Sequence, residues 1–137
     1  MPSYDLAMTA LAIDAPLRWT DNVVTLHDIP GVSGSQRGIA RRVAHQALLT
    51  LAVVRQLHVS LGMSVRDAVH MAPSLLADPP VGVPGSGQLC VTLDRSALER
   101  ELERRLRAAL ESAPVPRRGR PPGRTRGGMA RGPSRPA

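Results

Sequence analysis

The chain has 137 residues, 42% of them apolar, with 18 arginines, no lysine and a net charge of +7. That length suits one small domain plus appendages, and with only Tyr4 and Trp19 as aromatic side chains the core must be Leu, Val, Ile, Ala and Met, which favours packed helices over stacked sheets. Residues 1–112 hold 11 arginines against 11 acidic residues, whereas residues 113–137 hold 7 arginines and no acid. A basic tail on a neutral body fits a polyanionic partner; the alternative is a solubilising tail with no specific partner. Cys90 stands alone, so no internal disulfide is possible. No run approaches the ~20 apolar residues that cross a bilayer, and no charged-then-apolar leader is seen. A cytoplasmic protein is expected.

Leu6, Ala7, Ala10 and Leu11 mark one face of a first helix over Asp5 to Leu11, capped by Ser3 or Asp5. Ala12 to Ala15 form a short connector. Pro16 suits the start of a second helix running to about His27, with Trp19, Val23 and Leu26 facing inward and Arg18, Thr20, Asn22 and Thr25 on other faces. Ile29-Pro30-Gly31 ends it. A Gly/Ser loop to Gly38 leads to a short strand, Ile39 to Val43, with Arg41 and Arg42 on opposite faces. Loop and strand form a candidate wing.

The strongest helix runs from Gln46 to Leu61, on a stripe of Ala47, Leu51, Val54, Leu57 and Leu61. Gly62 stops it in a left-handed cap, and Ser64 with Asp67 starts the next, whose inward residues are Val65, Ala68, Val69, Ala72 and Leu76. Pro73 is expected to kink or end that helix. Residues 78–87 are Pro/Gly-rich and read as a linker. Leu89, Val91 and Leu93 alternate as a strand, and Ser96 with Glu99 fits a capping box opening a helix striped by Leu98, Leu102, Leu106, Ala109 and Leu110. Glu101–Arg105 and Glu103–Arg107 are favourable pairs on it. Its leucines predict either a homodimer through Ser96 to Leu110 or a fold-back onto the first domain. Residues 113–137 are Arg, Gly and Pro with no means of building a core, and predict disorder.

From Leu6 to Leu76 the chain resembles the winged helix-turn-helix of the MerR family. Two motifs carry the likeness. Ala10-Leu11-Ala12-Ile13-Asp14-Ala15-Pro16-Leu17-Arg18-Trp19 is similar to that family's first helix, turn and recognition-helix start. Gly38-Ile39-Ala40-Arg41-Arg42-Val43, followed by Leu48, Leu51, Leu57, Leu61-Gly62-Met63-Ser64-Val65 and Ala68, is similar to its wing strand, third helix, glycine break and fourth helix. The likeness covers about half the chain. It implies a winged helix-turn-helix with a short wing at residues 4–77; with the strand and helix read from the pattern at 88–112, the expected fold is mainly α. The usual aromatics of the recognition helix and wing strand are mostly replaced by aliphatic residues. With only Cys90 present, metal sensing is not expected.

The function that follows is double-stranded DNA binding, as a bacterial, nucleoid-associated transcription regulator. In such a fold the second helix enters the major groove. Arg18 suits a two-pronged contact to guanine and Asn22 one to adenine, with Thr20 as a further candidate. Arg41 and Arg42 on the wing, with Arg37 at the loop edge, are candidate phosphate contacts; because strand neighbours alternate faces, at least one of the pair is expected to reach DNA. Arg118-Gly119-Arg120-Pro121, flanked by Arg117 and Arg124, is similar to an AT-hook core, an extended Arg-Gly-Arg in a narrow minor groove; generic phosphate binding is the alternative. The four histidines and Cys90 lack metal-ligand spacing, although His58 and His70 could meet between two helices. No phosphate-cradling loop and no nucleophile with its base is present, so neither cofactor nor enzymatic activity is expected. The rival function is a protein-interaction module, such as an antitoxin-like or adaptor subunit.

Overall fold

The computed structural model describes residues 2–34, 40–77 and 91–112. Arg37 and Ile39, the linker at 78–87, Leu89 and Cys90, and the tail with Arg117, Arg118, Gly119, Arg120 and Arg124 lie outside the described residues.

The described part is mainly helical, with five helices and one three-stranded antiparallel sheet. Its elements are β1 (Ser3–Asp5), α1 (Leu6–Ala12), α2 (Leu17–Leu26), β2 (Val32–Ser33), β3 (Arg42–Ala44), α3 (His45–Leu61), α4 (Val65–Leu76) and α5 (Arg95–Ser112). The sheet order is β1-β3-β2, with Tyr4 opposite Val43 and Val32 opposite the same residue on the other side. Val43 is fully buried beneath the sheet and ties it to the helical core.

α3 is the axle of the fold. Ala47, Leu48, Leu49, Leu51, Ala52, Val53, Val54 and Leu57 are all buried, so the helix is apolar around most of its girth. Such a helix has to be surrounded. Ile13, Val23, Val24 and Ile29 cover its first half, while Ala68, Ala72 and Leu75 of α4 cover its second. Gly62 ends α3 at φ 69°, and its N–H returns to the His58 carbonyl at 3.1 Å. The Ser64 side chain then accepts from the Asp67 amide at 3.1 Å and opens α4. That stop-and-restart matches the glycine and serine in the sequence.

Several expectations are corrected. Of the two outcomes expected at Pro73, an end to the helix is not observed: α4 runs through it to Leu76. The proline ring is exposed, and the missing amide costs a single intrahelical bond near the end. Residues 91–94 form no strand. α5 is opened by Asp94, whose carboxylate accepts from the Ala97 amide at 3.0 Å, not by Ser96. Arg95 donates to the Leu76 carbonyl at 2.9 Å, so the start of α5 is fastened to the end of α4. α5 then packs along α1, with Leu102 at 2% exposure and Ala109 at 4%. The fold-back alternative therefore accounts for the buried part of its leucine stripe; Leu110 stays exposed.

Candidate nucleic-acid interface

α2 is set by the turn before it. Asp14 takes φ 55°, a left-handed conformation that Asp tolerates better than most residues. Pro16 caps the helix with extended ψ 144° and supplies no side-chain acceptor. Along α2 the buried residues are Thr20, Val23 and Val24, at i, i+3 and i+4. Arg18, Asn22 and Thr25 are exposed on the opposite side. The core face thus sits away from the Trp19, Val23, Leu26 stripe expected from sequence, by somewhat less than one residue step of about 100°. Leu26 is 77% exposed, and Trp19 is half-buried at the flank.

Thr20 accordingly lies on the wrong side to meet DNA. It is fully buried, and its hydroxyl donates to the Pro16 carbonyl at 3.1 Å. That internal bond satisfies the polar group and lets threonine pack as a β-branched wedge against the core. It is removed from the candidate contacts.

The two candidate wing arginines diverge. Arg41 precedes β3 and lies across α2: its Nη2 donates to Thr25 Oγ1 at 3.3 Å, and its Nε is 3.9 Å from Asp21 Oδ1. Arg42, one residue on, points to the other face of the sheet. Its Nη2 donates to the Ser3 carbonyl at 2.9 Å and to Ser3 Oγ at 3.0 Å. Arg41 is therefore grouped with Arg18 and Asn22, and Arg42 with β1. Gly34 (φ 83°) approaches the Ala40 carbonyl so closely that a Cβ would collide with it.

The opposite flank of α2 carries a residue with no part in the sequence reading. Arg55 of α3 lies with its guanidinium carbon 4.8 Å from the centroid of a Trp19 ring. Together with Asp14, Ala15 and Pro16 it lines a shallow recess at the start of α2. Trp19 is also 5.9 Å from the His58 ring, and His58 Nδ1 is bonded to the Met63 carbonyl at 2.8 Å. His58 is thus held on Trp19, whereas His70 lines a cleft with His45, Asp28 and Arg95; the two histidines do not meet. No group of three or more His, Cys, Asp or Glu among the described residues could hold a metal ion. The one clue to Arg55 in the sequence is that it follows the wholly apolar and buried Leu51–Val54 run.

No described helix is long and apolar enough to cross a membrane. No family model, curated protein or solved structure matches the chain.

Proposed function

We propose that the protein binds double-stranded DNA as a winged helix-turn-helix regulator resembling the MerR family, with α2 in the major groove and the β2–β3 hairpin as its wing. The observation that carries this reading is the face of α2. Arg18 and Asn22 stand one turn apart and exposed, the reverse of the helix is sealed by Thr20, Val23 and Val24, and Arg41 reaches the same face from the hairpin. Arginine and asparagine are the side chains best suited to guanine and adenine edges, and a guanidinium beside the helix suits a backbone phosphate. The arginine-rich tail adds sequence-independent attraction to the same polyanion, whether as a minor-groove hook or as phosphate contacts.

One observation favours the rival protein-interaction reading. Asp21 stands on the α2 face beside Arg41, and Leu17 and Leu26 are exposed at 52% and 77% at the helix ends. A mixed-charge, partly apolar face also suits a protein partner. Selection of binding sites from a random duplex library separates the two: a recovered motif supports the regulator, and failure to retain any duplex at low salt supports the adaptor.

A further inference from the structure

From the position of Arg55 we infer a second phosphate-contacting side chain, one that completes a pair of arginines bracketing α2. The inference rests on the DNA-binding reading above. A helix lying in the major groove runs between two phosphate backbones about 12 Å apart. A protein that holds it there gains most from cations on both flanks. Arg41 occupies one flank, tied to Asp21 and Thr25. Viewed down α2 at about 100° per residue, Trp19 lies on the other flank, and Arg55 rests on it.

Three observations set Arg55 apart from an ordinary surface arginine. Its guanidinium lies over a Trp19 ring, 4.8 Å from the centroid, a cation–π contact that restricts the side chain and lowers the ordering entropy of a further contact. Among the described residues it makes no ion pair and no side-chain hydrogen bond; its partner there is the Trp19 ring. It also lines an open recess with Asp14, Ala15 and Pro16, at the end of α2 that bears Arg18. A guanidinium carries five N–H donors in a fixed fork, and contact with a ring face leaves that fork able to meet phosphate oxygens. Arg41 and Arg55 would then contact opposite strands of the same groove, fixing the depth and roll of α2 so that Arg18 and Asn22 reach base edges.

The test uses the full chain and a duplex recovered by library selection. Arg55→Met keeps an apolar stem over Trp19 and removes the charge, and Arg55→Lys keeps the charge and loses the planar stack. Affinity is measured from 50 to 200 mM salt, alongside thermal unfolding. One phosphate contact contributes roughly 0.9 to the log–log salt slope, so Arg55→Met should lose about 3.5-fold less affinity than wild type across that range. Arg55→Lys should keep a slope near wild type, and neither variant should change which bases are preferred. A slope for Arg55→Met equal to wild type, with only a lower unfolding temperature, would show Arg55 to be a packing residue and overturn the inference while leaving the DNA-binding reading intact. If the wild-type chain retains no duplex, both fall.

Discussion

The guanidinium of Arg41 donates to the hydroxyl of Thr25 at 3.3 Å, joining the β2–β3 hairpin to the exposed face of α2. Asp21, 3.9 Å from the same guanidinium, shares that arginine, and on the proposed DNA-binding reading its carboxylate would repel a nearby phosphate. Asp21→Asn should release Arg41 from its carboxylate and remove the repulsion. Tighter binding to all duplexes with a steeper salt dependence is expected by fluorescence anisotropy. Weaker binding would mean that Asp21 holds Arg41 in its working position.

Thr20→Val tests the corrected orientation of α2. The hydroxyl bonded to Pro16 contributes about 0.5–1.5 kcal/mol, and valine fills nearly the same volume. Chemical denaturation should register a loss of about that size at most, and the preferred DNA motif should be unchanged. A shift in base preference would place Thr20 among the readers after all.

Leu102 fastens α5 to α1 and is 2% exposed. Leu102→Ala should cost about 2–5 kcal/mol in urea unfolding, through lost burial and the cavity left behind. A change below about 0.5 kcal/mol would mean that α5 does not dock on its own chain. The dimer through Ser96 to Leu110 would then regain its rationale, and light scattering would reveal it as doubled mass.

Glu101 accepts from Arg104 at 2.6 Å and from Arg105 at 2.9 Å. The hydrogen bond from Arg104, with the charges of Arg104 and Arg105, lowers its pKa from the ordinary 4.5 to about 2. A carboxylate depressed on folding stabilises the fold above its unfolded pKa, and that contribution is lost as the pH falls toward 2. Because the group is open to solvent, the effect should be small and screened by salt. Thermal unfolding of wild type should fall more steeply than that of Glu101→Gln between pH 4.5 and 2 at low salt. Parallel curves would show the arginine contacts to be without energetic weight.

The helices were legible where a strong local signal coincided with burial. Gly62 and Ser64 mark the α3–α4 break, because a left-handed stop and a side-chain cap are decided within a few residues. The buried face of α2 is not legible in the sequence, because Thr20 is polar by composition and apolar in effect once the Pro16 carbonyl accepts its hydrogen bond. β1 escaped because three residues are too short to show alternation, and its pairing partner lies some forty residues away at β3. Asp94 does not stand out as a cap in the sequence, because Ser96 and Glu99 match the commoner pattern two residues later. Within the candidate interface, Arg18 and Asn22 are exposed and off the core face, as their positions on the helix predict. The divergence of Arg41 from Arg42 follows from strand alternation, whereas the stack of Arg55 on Trp19 joins residues on two helices that no local pattern connects.

The most direct measurement compares base preference and salt slope, from random-library selection and titration, for wild type, Arg18→Ala and a chain lacking residues 113–137. Arg18→Ala should erase a preference of about 1–3 kcal/mol at one position, with little change in slope. Removing the seven tail arginines should weaken binding to every duplex and flatten the slope, with the motif intact. If instead the motif disappears with the tail and survives Arg18→Ala, then α2 does not read the sequence and the central claim is contradicted.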